Sequence, residues 1–298
     1  MRFRIVAAML VGAVIVGFFG FNLARPLDPL APVTLFTGQI GILDAFVFAV
    51  LAFVTGFLAY FASYPFGRPI APLAVPAGLA VWAIMTGSVR TLLITNTTVQ
   101  AKTSVYNTFL WESFFWFFLV LIGYAGVLVA EKLRPTTLPD RVAEAASDRQ
   151  KNPGLRYAVA VVASTVIAMF CIGILAQDVR RASSFGTVVG QPGTGQIAFA
   201  VIVSFMAAAF LCKVLLNAPP IVPAAAAVIV MVVTVKARAT HDTLTYMTDN
   251  WASAYFSDSL CAILPIQAIS FAAIGSIAGF WLGIRYQHWH KYEREQSK

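Results

Sequence analysis

The chain has 298 residues, 59% of them hydrophobic and only 11% charged, against about 25% charged in an ordinary soluble domain. That leaves too little polar surface to solvate a globule in water, and the composition points to a membrane protein. The net charge of +8, from 21 basic and 13 acidic residues, argues for no nucleic-acid partner, because the basic residues flank apolar blocks and form no stripe.

In chain order, Arg2 and Arg4 precede a first apolar run, 5–23. A cleaved signal peptide has a core of about 7–15 residues, so this longer run reads as a retained helix. Further runs follow at 43–61, 72–94, 109–130, 156–176, 197–216, 221–235 and 263–284. Each approaches the roughly 20 residues needed to cross about 30 Å of hydrocarbon at 1.5 Å per residue. Residues 131–153, with Arg134, Arg141, Arg149 and Lys151, form the one substantial hydrophilic linker. The expected class is an all-α polytopic membrane protein with about eight transmembrane helices. Eight spans put both termini on one side, where fourteen Lys and Arg outnumber the seven beyond. The termini and the linker are therefore expected in the cytoplasm, in a cell membrane that in a bacterium is the inner one.

The chain also matches itself at an offset of about 151 to 153 residues. Leu155-Arg156 corresponds to Phe3-Arg4, Val166-Ile167 to Val14-Ile15, and Pro220-Ile221-Val222-Pro223 to Pro69-Ile70-Ala71-Pro72. Apolar matches are cheap, but proline fixes φ and removes a donor, so the paired prolines specify the same turn and helix start. The expectation is two parallel four-helix repeats, 1–130 and 154–298, the second with a short cytoplasmic tail, joined by the 131–153 linker. An even number of spans per repeat makes them parallel, about an axis along the membrane normal.

After the third and seventh spans come two polar, aromatic-bearing segments, 91–108 and 240–259. They are expected to lie in the membrane interface on the side away from the termini, being too polar for exposure to lipid, with a re-entrant loop lining a cavity as the alternative. Arg90 ends the third span and Glu112 stands near the start of the fourth; Arg238 and Asp258 are their counterparts. Such charges suit the helix dipoles, and if each pair meets it would close the polar segment into a lid. With His241 and Asp242 these are the candidate substrate-binding or gating residues.

Other motifs read blandly. Gly190-Gln191-Pro192-Gly193-Thr194-Gly195-Gln196-Ile197 resembles a Walker A loop but lacks its terminal Lys-Ser/Thr, and reads as a turn before the sixth span. One His among scattered carboxylates does not make a metal site, and Cys171, Cys212 and Cys261 show no paired spacing. The tail around His288, Trp289 and His290 reads as an anchor attracted to anionic lipid. No catalytic residue, metal or cofactor is assigned, and an enzyme is the less expected reading.

Asp44, Arg90, Glu112 and Lys213 all fall near predicted span ends, which disfavours ion coupling through intramembrane charges. The expected function is a transporter-like protein for a small neutral or amphipathic solute or lipid. The alternative is a non-catalytic membrane subunit or scaffold. Its partners would be the bilayer, a small-molecule solute and other membrane proteins.

Overall fold

In hydrocarbon no water satisfies peptide groups, so an apolar run must bond its own backbone, and a helix does this within one segment. The computed structural model describes residues 2–37, 40–135, 153–183 and 186–296. Within them, eight helices are long and apolar enough to cross a membrane. The first span is α1 (Arg2–Gly12) continued by a π-helical stretch, Ala13–Phe19, after which α2 (Phe21–Ala24) closes the turn. The second is α3 (Ile42–Ala62). The third starts with α4 (Gly67–Ile70) and the 3₁₀ turn Ala71–Leu73 and continues as α5 (Ala74–Met85). A short α6 (Val89–Thr95) leads to the fourth, α7 (Val99–Leu133). The second half holds α8 (Pro153–Leu175), strands β1 (Arg180–Ser183) and β2 (Gly186–Gly190), α9 (Thr194–Leu216) and α10 (Ile221–Arg238). It ends with α11 (His241–Asn250), β3 (Tyr255–Phe256), the 3₁₀ turn Ser259–Ala262 and α12 (Pro265–Gln296).

The strands were not expected from sequence. They form one small antiparallel sheet, order β1-β2-β3, with Val189 opposite Phe256 and Gly190 opposite Tyr255. It sits at the end remote from the termini, here called the outer end. Most of the hydrophilic linker, 136–152, lies outside the described residues.

The second span packs most extensively on the fourth, and the sixth on the eighth. The first lies on the second and third, and the fifth on the sixth and seventh. Across the middle, the third packs on the eighth and the fourth on the seventh. The apolar windows of the third and eighth spans are 67% and 78% buried, against 22% for the first, so these two form the centre.

Lipid tails are as apolar as leucine, so helices associate in a membrane only where they approach closely enough for dense contact, and small residues permit that. A β-carbon on Gly126 of the fourth span would sit 2.2 Å from the Phe53 carbonyl oxygen of the second. One on Gly279 of the eighth would sit 2.1 Å from the Met206 carbonyl oxygen of the sixth.

Two expectations are corrected. The third span stops at Met85 instead of reaching 94, because the Thr86-Gly87-Ser88 turn intervenes and Ser88 caps a new helix by a reciprocal bond with Thr91. The apolar Leu92-Leu93-Ile94 belongs to α6. The segment 91–108 is not a single interfacial piece either: Thr98 caps Ala101, and from Val99 the chain is already the fourth span, 35 residues and about 52 Å long. In the second half the corresponding stretch stays broken into α11, β3 and the 3₁₀ turn. Pro265 explains the difference, since proline lacks the N–H and clashes with the preceding turn, so it can begin α12 but not sit within a helix running through it.

Gly279→Ala should lower the melting temperature in detergent markedly, an overpacking cost of about 1–3 kcal/mol, because the obstacle is backbone. Gly173→Ala, with nothing within 4 Å of the added carbon, should leave it unchanged or slightly raised. Equal effects at the two positions would show that the close approach does not hold the sixth and eighth spans together.

Candidate functional site

At the outer end, residue 112 lies where the fourth helix continues and where its counterpart in the second half is interrupted. Glu112 is thirteen residues into α7 and has no exposed surface, so the expectation that it stands near the start of the fourth helix is corrected. The loop after the first span covers it. Thr34 Oγ1 donates to Glu112 Oε2 at 2.7 Å, and the Leu35 backbone amide is a further donor. Trp116 Nε1, one turn along α7, donates to Oε1 at 2.9 Å. Trp116 meets Trp82 edge-on with centroids 6.0 Å apart, and Trp82 Nε1 donates to the Gly17 carbonyl at 2.9 Å. The carboxylate thus pins the loop to the fourth span, and the two indoles extend the tie through the third span to the first. Within the described residues no cation pairs with it.

Arg90 does not meet Glu112. Its backbone N–H donates to Gln191 Oε1 of the second half at 3.2 Å, and its side chain is exposed. The other predicted pair does form: Arg238 Nε lies 3.7 Å from Asp258 Oδ2, with the two side chains 54% and 20% exposed. Asp258 also accepts from the Leu260 N–H at 3.0 Å and so caps the 3₁₀ turn. Beside it, the Cys261 thiol is pushed up to about 12, mainly by burial and then by the Asp258 charge, against the pull of the Ser257 hydrogen bond and Arg238. It is therefore a protonated packing group at neutral pH and no nucleophile.

His241 and Asp242 open α11, whose N-cap is Thr240. Asp242 is exposed in the first turn, where a negative charge suits the dipole. His241 lines a groove of ≈ 450 Å³ against α7, with Gln100, Thr103, Ser104, Asn107, Thr108 and Trp111. These six recur at helical spacing and present one uncharged polar face of α7 ending in a tryptophan. The sequence reading missed this face because it began the fourth span at Phe109 and assigned the preceding residues to a separate interfacial segment. Thr103 and Thr108 bond carbonyls of their own helix, while Gln100, Ser104 and Asn107 keep their polar groups free among the described residues. Lys102, on the opposite side of α7, is buried and donates to Thr248 of α11 at 3.1 Å, which ties the two helices together. Among the described residues no three His, Cys, Asp or Glu side chains gather as a metal site.

Glu112→Ala should strand the Trp116 and Thr34 donors and leave a cavity, lowering the melting temperature by roughly 5–10 °C. Glu112→Gln retains a carbonyl for the indole and an amide for the Thr34 hydroxyl, and a fall of less than about 2 °C is expected. A loss in the glutamine variant as large as in the alanine one would mean that the charge, not the bonding pattern, holds the loop. At Asp258 the prediction separates cap from ion pair. Asp258→Ala should cost about 1 kcal/mol through the lost cap, while Asp258→Asn and Arg238→Gln should each cost a few tenths, because so exposed a bridge contributes about 0–1 kcal/mol. No family model, curated protein or solved structure matches the chain, so its function has to be read from these residues.

Proposed function

We propose that the chain is a non-catalytic membrane subunit, a rigid eight-helix scaffold made of two fused four-helix repeats, 1–130 and 154–298, with both termini and the 131–153 linker in the cytoplasm. The repeat reading is supported by packing as well as by sequence. The second-on-fourth contact recurs as sixth-on-eighth, and third-on-eighth reciprocates fourth-on-seventh, as a twofold axis along the membrane normal requires. The close approaches correspond too: Gly126 with Gly279 and Phe53 with Met206 are each separated by 153 positions (279 − 126 and 206 − 53).

The seam between the halves carries the scaffold reading over the transporter-like one. A carrier that alternates access must let its halves rock about a path between them. The third and eighth spans, which meet across the halves, carry Leu79, Trp82, Ile266 and Phe271, all large and at most 2% exposed. Hydrogen bonds between halves also pin both ends. Trp281 Nε1 donates to the Pro69 carbonyl at 3.1 Å near the termini; Gln267 Nε2 to the Ala83 carbonyl at 3.3 Å and Tyr106 Oη to the Cys261 carbonyl at 3.1 Å toward the outer end. Rocking would break these together.

A second reading, capture of a small neutral solute at the outer end, is favoured by the uncharged amides, hydroxyls and Trp111 of the α7 groove. Its candidate binding residues are His241 and that polar face; Arg90, Arg238, Asp242 and Asp258 are not among the groove's lining residues.

Single cysteines in a background without Cys171, Cys212 and Cys261 test the reading. Leu79→Cys and Ser270→Cys should stay unlabelled by a membrane-impermeant maleimide applied from either side. Asp242→Cys should label in intact cells, and Leu133→Cys only after permeabilisation. Labelling of Leu79→Cys or Ser270→Cys from either face would support a carrier and overturn the scaffold; a membrane protein retained in fixed ratio through purification would support it.

A further inference from the structure

At the end nearer the termini, the sixth and eighth spans run parallel with their backbones in contact, and a groove of ≈ 740 Å³ follows the seam on its outer flank. Its size falls in the range of ordinary ligand sites, about 300–1,000 Å³. One wall is apolar: Val203, Met206 and Phe210 recur at helical spacing on α9 and are half-buried. The other wall changes character along α12 toward Arg285, Tyr286 and Trp289, which are exposed. Arg285 lies twenty residues beyond Pro265, about 30 Å along the helix, so it stands at headgroup depth when Pro265 is at the opposite edge of the hydrocarbon. Tyr286 is braced between Phe210, at 5.6 Å, and His290, at 4.4 Å between ring centroids. Among the described residues no carboxylate pairs with Arg285, since Glu293 is taken by His290 at 3.4 Å.

We propose that this groove is a specific site for one anionic phospholipid, with an acyl chain along the α9 wall and the headgroup phosphate on Arg285. A guanidinium offers parallel N–H donors to phosphate oxygens, and the aromatic pair Tyr286 and Trp289 sits where amphipathic rings prefer the interface. A buried cation nearby, Lys213, is turned away to Asn217 and the Phe280 ring, so the charge in the groove is that of the exposed Arg285. The site differs from general attraction of the basic tail to a charged membrane, because it has a shaped apolar wall and one saturable position. It stands independently of whether the scaffold or the solute-capture reading holds.

Native mass spectrometry of the full chain in mild detergent tests this, with phosphatidylglycerol and phosphatidylcholine of identical acyl chains added in turn. One retained phosphatidylglycerol per chain is expected, with phosphatidylcholine held several-fold less. Arg285→Gln should lower phosphatidylglycerol occupancy about tenfold, as loss of a charge-assisted pair implies. Ala207→Phe, which fills the groove, should abolish retention of both lipids. Arg180→Gln, removing the same charge at the outer end, should change nothing. Equal binding of the two lipids, or unchanged binding in Arg285→Gln, overturns the proposal. Stabilisation of the protein by soluble glycerol 3-phosphate to the same degree would also overturn it, since that probe has no chain to occupy the groove.

Discussion

The approach of one backbone to another without an intervening side chain is the constraint on which this architecture rests. In water, apolar helices are driven together by the surface they hide; in lipid that gain vanishes, and only contact density and hydrogen bonds remain. Gly126 against Phe53 and Gly279 against Met206 supply the density in the two halves. With those pairs closed, the third and eighth spans fill the centre, and Trp82 and Trp281 reach backbone carbonyls of neighbouring helices because those helices are held near enough.

The same framework carries different chemistry in its two halves at the outer end. Where the first half has an unbroken helix through Glu112, the second has Pro265 and a chain broken into helix, strand and 3₁₀ turn. The unbroken helix displays a long polar face, and it carries a carboxylate into the interior. The broken one gives backbone groups to the small sheet and to the caps of Thr240 and Asp258. A buried carboxylate is costly unless its lone pairs are used, and here the loop after the first span and Trp116 use them. Its role is to fasten a loop, which is why the two acid-base pairs that look equivalent in sequence diverge in space.

Packing also shapes what each surface presents. The large buried side chains of the third and eighth spans, Leu79, Trp82, Ile266 and Phe271, give the interior to packing, and the two grooves lie at the periphery, on the α7 face at the outer end and between α9 and α12 near the termini. The groove follows from the glycine contact, since two parallel helices that touch leave a channel on their lipid side.

Composition and hydropathy alone determined that the chain crosses a membrane with eight helices, because length and apolarity are local properties and hydrocarbon tolerates few other structures. Proline was legible in the same way: the Pro-Ile-x-Pro pairs do mark the entry of the third and seventh spans. Helix ends were less legible. The third span stops at a Thr-Gly-Ser turn whose apolar flanks hide it in a hydropathy profile, and the fourth starts ten residues before its apolar run because polar residues also form helix. Only the tertiary structure decided that Glu112 is buried and Arg90 is not, that Arg238 reaches Asp258, and that Gln100, Ser104, Asn107 and Trp111 share a face with His241. Those facts depend on which loop folds over which helix, and residues far apart in the chain, such as Thr34 and Glu112, carry no local signal of one another.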